Sequence, residues 1–298
     1  MASKSDASSK KSSMRPDIAT LGGLLLAAGG ILGGLVIEGG KLTDIAQVTA
    51  LMIVLGGTIG AVMVTTPLKT LIKAAKCLGS VFFEHAQSPQ DVIEEVISYA
   101  TKARKNSIIS LESDLPNIAD PFLQKAISLS VDGTDLQELR KMMELDIALE
   151  HRNGESMAKV YEAAGGYAPT IGIIGAVLGL IQVMKHLENI EEVGRGIAVA
   201  FVATVYGVAS ANLFFLPVAN KIKARFHHSL EMKELMLEGV CSIVEGLNPK
   251  LIRIKLDPFS DEGSAESAKK VKAPQAKAAQ NGPGAGIAGL HEERKSTA

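Results

Sequence analysis

Four stretches of this chain carry no charged side chain: Ile18–Ile37, Ile45–Thr66, Tyr167–Met184 and Gly196–Val218, of 20, 22, 18 and 23 residues. Each is long enough to cross roughly 30 Å of hydrocarbon as a helix. The 63 charged residues are crowded into the other 215 positions, which are 29% charged. A water-soluble fold of 298 residues would intermix the two kinds of residue. The segregation excludes an ordinary cytosolic enzyme. It predicts an all-α membrane protein with four transmembrane helices and a helical cytoplasmic domain between spans 2 and 3. The first stretch exceeds a signal-peptide core and lacks a small-x-small exit, so it reads as a retained span. A net charge of −1 gives no sign of nucleic-acid binding. Two cysteines, Cys77 and Cys241, are too few and too far apart for a disulfide scaffold or a cysteine metal site. No metal or other cofactor is expected.

Orientation follows from lysine and arginine near the span ends. Lys4, Lys10, Lys11 and Arg15 precede span 1; Lys69, Lys73 and Lys76 follow span 2; Lys221, Lys223 and Arg225 follow span 4. The short links Glu38–Asp44 and Lys185–Arg195 together hold three basic and five acidic residues. Both termini and the stretch Pro67–Gly166 are therefore placed in the cytoplasm. The chain divides into a cytoplasmic N-terminus (1–17), spans 1 and 2 (18–66), a helical cytoplasmic loop domain (67–166), spans 3 and 4 (167–218), a cytoplasmic helix (219–256) and a disordered tail (257–298) rich in Ala, Gly, Pro, Ser and Lys. In the loop domain, Ser88-Pro89, Asp120-Pro121 and Thr134 or Asp135 each open a helix. The last of these is expected to run toward Tyr161, with a break at Gly165-Gly166.

All four spans are dense in small residues: Gly22, Gly23, Gly29, Gly30, Gly33 and Gly34 in the first, Gly56, Gly57 and Gly60 in the second, Gly172, Gly175, Ala176 and Gly179 in the third, and Gly196, Ala200, Ala203, Gly207 and Ala211 in the fourth. Such stripes let helix backbones approach closely in lipid. They can pack one monomer or leave faces for partners and further copies of the chain. No Asp, Glu, Lys, Arg or His lies within a span. Moving an ion through a bilayer usually needs an intramembrane ionisable group or a cage of oxygens. The spans offer only scattered hydroxyls and amides, among them Thr58, Thr204, Tyr206 and Ser210. If protons pass, the titrating carboxylate must come from another polypeptide. Pro169 stands near the start of span 3 and Pro217 at the end of span 4, where each removes a backbone donor.

Gly172-Ile-Ile-Gly-Ala-Val-Leu-Gly-Leu180, the segment Gly196–Gly207 and Ala211-Asn-Leu-Phe-Phe-Leu-Pro217 resemble the third and fourth spans of the MotA/PomA family, the A subunits of flagellar stator units. Leu55-Gly-Gly-Thr-Ile-Gly-Ala61 resembles the second span, and Arg104-Lys105 with Ser110-Leu-Glu112 resembles the family's charged loop patch. The resemblance covers about residues 16–256. It implies an A subunit that forms a homo-oligomeric ring, five copies around two MotB-like B subunits, in the bacterial inner membrane. The B subunit supplies the membrane Asp and grips peptidoglycan. Ion flow then turns the ring, and the cytoplasmic loop pushes a FliG-like rotor switch protein. Carried over residue by residue, Arg104 and Glu112 are rotor contacts, Pro169 and Pro217 couple ion binding to the loop domain, and Thr204 lies near the B-subunit Asp. Ala176 falls where sodium-driven members carry threonine. A hard cation needs oxygen ligands, so a methyl group there favours protons.

The nearest rival is an ExbB/TolQ-type energiser, which usually has three spans. A secondary transporter would be expected to show an internal repeat with broken helices, and none is clear. Gly39-Gly40-Lys41-Leu42 lacks the first glycine and the Ser or Thr of a phosphate loop. An enzyme is not expected.

Overall fold

The computed structural model describes residues 14–85 and 88–260. The N-terminal lysines before Met14 and the tail from 261 onward lie outside the described residues, so the expectation of a disordered tail concerns residues not described. Residues 257–259 form a short 3-10 turn. The fold is otherwise almost entirely helical. In chain order come β1 (Met14–Pro16), α1 (Ile18–Ile37), the single-turn α2 (Leu42–Ile45), α3 (Val48–Thr65), α4 (Leu68–Phe82), β2 (Phe83–His85), α5 (Pro89–Asn106), a 3-10 helix (Ile108–Asn117), α6 (Pro121–Val131), α7 (Leu136–Lys185), α8 (Ile190–Val244) and α9 (Pro249–Leu256). The two strands form one antiparallel ladder, with Arg15 opposite Glu84.

Four helices are long and apolar enough to cross a membrane: α1, α3, α7 and α8. The last two are rods of 50 and 55 residues, about 75 and 80 Å at 1.5 Å per residue. Each is therefore far longer than a bilayer is thick, and its cytoplasmic part is continuous with its membrane part. The expected break at Gly165-Gly166 is absent, because α7 runs unbroken through both glycines and through Pro169. The reason is packing. A Cβ at Gly165 would lie 2.6 Å from Leu216 of α8, and one at Gly154 would lie 2.5 Å from the Phe226 ring. The glycines admit bulky α8 side chains, and that contact outweighs the roughly 1 kcal/mol helix penalty of each glycine.

Pro217 likewise ends no helix. It follows a π segment, Ser210–Phe215, in which the Leu216 N–H reaches back five residues to the Ala211 carbonyl. A proline ring clashes with the carbonyl four residues back, and a widened turn makes room for it. A second π segment, Met52–Gly56, interrupts α3. The helix of span 2 begins at Val48 rather than Ile45, with extended backbone at Gln47 before it.

Three packed clusters follow the rods from cytoplasm to membrane. The largest joins α5, α6 and α9 to the cytoplasmic halves of α7 and α8 through Val92, Val96, Leu123, Leu139, Met143 and Leu235. Asp120 caps α6 by accepting from the Phe122 and Leu123 N–H groups, and Asp135 caps α7 by accepting from Gln137 N–H. Glu94 and Arg253 form a two-armed ion pair at 2.5 and 2.7 Å that ties α9 to α5. A second cluster, with Val62, Ala74, Met157, Tyr161, Val218 and Ile222, sits where the rods leave the spans. The third, Ala50, Val54, Val202 and Ala203, lies between α3 and α8. α1 contributes no buried residue to any of them.

Candidate functional site

The membrane half of α7 meets α8 glycine to glycine. A Cβ at Gly172 would stand 2.9 Å from the Ala203 carbonyl, one at Gly179 2.8 Å from the Gly196 carbonyl, and one at Gly207 2.6 Å from the Ala168 carbonyl. Gly175 faces the Ala203 methyl and Ile53 of α3. The glycine stripes of spans 3 and 4 thus pack the two helices of one chain, and the backbones themselves are the contact surface. Ala176 lies one turn beyond Gly172 on the same face of α7, and Thr204 is one of the residues Gly172 faces. Both are half-buried. The structure thus brings Thr204 and Ala176 to one seam. The Thr204 hydroxyl donates to the Ala200 carbonyl at 3.1 Å, the self-bonding that threonine commonly adopts in apolar helices.

Pro169 and Pro217 occupy neighbouring levels of the same two helices, as the contact of Gly165 with Phe215 and Leu216 shows. Pro169 deprives the Gly165 carbonyl of its helical donor. The π segment beside Pro217 departs from the regular ladder at a nearby depth.

Two polar features escaped sequence reasoning. The Tyr206 hydroxyl donates to the Ile45 carbonyl and accepts from the Gln47 N–H at 3.3 Å. One side chain thereby adds a partner to both polar groups at the break before α3, which otherwise bond only to each other at 3.1 Å, as irregular backbone in an apolar setting requires. Asp17 is the second. It caps α1 by accepting from Thr20 N–H at 3.0 Å, and it pairs with Lys221 at 2.5 Å and Arg225 at 2.9 Å. The side-chain bond from Lys221, together with the Thr20 N–H and Arg225, holds its carboxyl well below the usual carboxylate range despite burial. Arg225 also donates to the Val81 carbonyl, and the Asp17 N–H donates to Phe82. The start of α1, the C-terminal end of α4 and the middle of α8 are clamped at this point. Aspartate before an apolar run is a readable cap signal, but partners more than 200 residues away are not readable.

The two loop charges lie at the far, cytoplasmic end. Arg104 is exposed in the last turn of α5, and Glu112 is exposed on the 3-10 helix that follows. Neither is drawn into an ion pair among the described residues. Lys102 bridges the two elements instead, reaching Asp114 at 2.6 Å and Ser113 at 3.1 Å. Between them Ser107 adopts φ 75° and ψ 156°, a region that costs a non-glycine residue about 1–3 kcal/mol. The strained turn sets the direction in which the 3-10 helix, and with it Glu112, leaves α5. Further along the rods, Arg140 pairs with Glu238 at 3.0 Å, and Lys255 joins the same carboxylate. Burial opposes ionisation of Glu238, yet the bonds from Lys255 and Arg140 hold it below its ordinary range.

Residues 114–235 match the model of the MotA/TolQ/ExbB proton channel family, and residues 21–106 match that of the motility protein A N-terminal region. Motility protein A of Bacillus subtilis is 33% identical over 265 residues, spanning 85% of this chain and 98% of that one. A solved structure of C. jejuni MotAB is similar with a TM-score of 0.78 and 31% identity, covering 82% of this chain and 95% of that one. The flagellar MotAB stator complex from Bacillus subtilis gives 0.75 and 34%, covering 80% and 94%. The two family matches take in the glycine seam, both prolines and Arg104, with Glu112 in the gap between them, and the chain belongs to the MotA/TolQ/ExbB proton channel family.

Proposed function

We propose that this chain is the A subunit of a flagellar motor stator unit, a non-enzymatic, multi-pass protein of the bacterial inner membrane with both termini in the cytoplasm. The observation that carries the reading is a division of labour. The spans hold no ionisable side chain, while two continuous rods join the membrane seam to an exposed charged loop domain. A MotB-like B subunit supplies the missing Asp beside Thr204 and Ala176. Five copies of the chain surround two such subunits. Ion passage shifts the α7–α8 pair at Pro169 and Pro217, and the rods carry that shift to Arg104 and Glu112, which meet a FliG-like rotor switch protein. One elementary charge crossing 100 mV delivers roughly 2.3 kcal/mol, so each step must be passed on by elements that do not bend it away. Packed rods meet that need. The Ala176 methyl, in place of a hydroxyl, favours protons as the driving ion. Likeness to the flagellar stator structure supports this reading over the ExbB/TolQ alternative.

Deleting the coding region should leave cells with flagella by microscopy and no spreading on soft agar, and the intact chain should restore spreading in sodium-free medium. Loss of flagella, or normal swimming with failed energised uptake across the outer membrane, would refute the stator role. Spreading that scales with sodium would refute the proton assignment.

A further inference from the structure

A cavity of about 490 Å³ opens between α1 and α8 beside the Asp17 clamp. Its walls are ordered along the membrane normal. Thr20, Asn220 and Lys221 stand at one end beside Val81 and Phe82, and Leu24, Ala27 and Leu213 at the other, where the one polar side chain, Asn212, is spent on the Val208 carbonyl of its own helix. From Thr20 to Ala27 the helix rises about 10 Å, a good part of one leaflet of a 30 Å hydrocarbon layer. The polar-to-apolar order therefore matches that of a lipid lying in the leaflet next to the clamp. A single acyl chain, far thinner than a helix about 10 Å across, fits within the cavity. The space is also open at its wall: a Cβ at Gly23, which lines it, would meet nothing within 4 Å.

The charge around the mouth selects the headgroup. Lys221 is about one-third exposed while it pairs with Asp17. Lys69, Lys73 and Lys76, further back along α4 from the lining residues Val81 and Phe82, are exposed and form no ion pair among the described residues. Basic side chains at a membrane surface attract anionic lipid by about 1 kcal/mol each. We infer that this cavity is a binding site for an anionic phospholipid, with one acyl chain between α1 and α8 and the phosphate on Lys221. The floor of the cavity includes Phe214 and Pro217. The lipid therefore rests against the π segment and proline of α8, where it can stiffen or free that turn. The site rests on the membrane orientation proposed above only for naming the leaflet as cytoplasmic.

The test is native mass spectrometry of the purified assembly, chain and B subunit together, titrated with phosphatidylglycerol or phosphatidylcholine. Wild type should retain phosphatidylglycerol about fivefold better. Gly23→Leu should abolish retention of both lipids, and Ala27→Phe gives a second way to fill the space if the first variant assembles poorly. Lys221→Gln should erase the preference while leaving phosphatidylcholine bound. Equal retention of the two lipids by wild type, or undiminished binding by both filled variants, would overturn the site. So would a Leu24→Cys cross-link to a second copy, which would mean that a neighbouring chain occupies it. Lipid retention is read by mass and the stator role by swimming, so failure of one does not obscure the other.

Discussion

Gly22, Gly23, Gly29, Gly30, Gly33 and Gly34 of α1 would each meet nothing within 4 Å if they gained a Cβ, whereas at Gly172, Gly179 and Gly207 backbone atoms of the facing helix already stand 2.6–2.9 Å from that point. The two regions are alike in sequence and opposite in use. In the α7–α8 pair, glycine is consumed within the chain, bringing two backbones together so that the rods move as one. In α1, no residue is buried by the rest of the chain, and Leu25, Leu26 and Ile37 are 74, 80 and 87% exposed. Small residues on a helix thus report only that a close approach is possible. Whether the approach is made inside the chain depends on which element lies opposite.

The contrast can be broken most forcefully at the seam. Gly207→Ala places a methyl against the Ala168 carbonyl and the Gly172 backbone, where nothing flexible can yield. Overpacking of this kind costs about 1–3 kcal/mol or more. Assembly in detergent should fall and motility should be lost, as read by size-exclusion chromatography and soft-agar spreading. A variant that assembled and swam normally would show that the helices are not rigidly coupled there.

Tyr206→Phe comes next. It removes the hydroxyl shared by the Ile45 carbonyl and Gln47 N–H, which keep only their bond to each other, a loss of two hydrogen bonds at about 0.5–1.5 kcal/mol each. The thermal midpoint should drop, and hydrogen exchange at Gln47 should quicken while the α7–α8 seam stays protected.

Asp17→Asn probes the tether that holds the otherwise loosely packed α1. The carboxyl of Asp17 is held below its ordinary range, first by Lys221. The ionised form therefore favours the folded state. Its contribution is complete above the unfolded value near 4 and erodes as pH falls below it toward the depressed folded value. The variant should lose about 2 kcal/mol at neutral pH, and its stability should then change less than that of wild type as acid is added. A parallel acid limb in the two proteins would remove Asp17 from the clamp.

The smallest effect is expected at the open face. Gly30→Ala should leave the stability of the isolated chain unchanged or raise it by up to about 1 kcal/mol through helix propensity. A loss of assembly by the same variant when copies and the B subunit are present would locate a partner against α1.

Much of this organisation was legible beforehand, because lipid leaves few choices. Each charge-free stretch falls on one of the four helices long and apolar enough to cross a membrane, and the Asp120-Pro121 cap announces α6 as written. The misreadings share one cause. Gly165-Gly166 and Pro169 weaken a helix in isolation, but α8 packs against α7 throughout and overrides them. The start of span 2, the β1–β2 ladder and the Asp17 clamp depend on contacts between distant parts of the chain, such as Tyr206 with Ile45. Local spacing carries no trace of those. Thr204 and Ala176 were singled out separately by resemblance, and both fall half-buried along the α7–α8 pair. The exposed positions of Arg104 and Glu112 suit a transient contact without identifying it.

The central proposition is that the chain houses an ion path whose titratable acid is borrowed. The direct measurement is proton flux into liposomes with an imposed pH gradient, using the purified chain alone and co-reconstituted with its B subunit. The gradient should stand with the chain alone and fall when the B subunit carrying its membrane Asp is present, and Asp→Asn in that subunit should restore it. Rapid, specific dissipation by the chain alone would contradict the proposition.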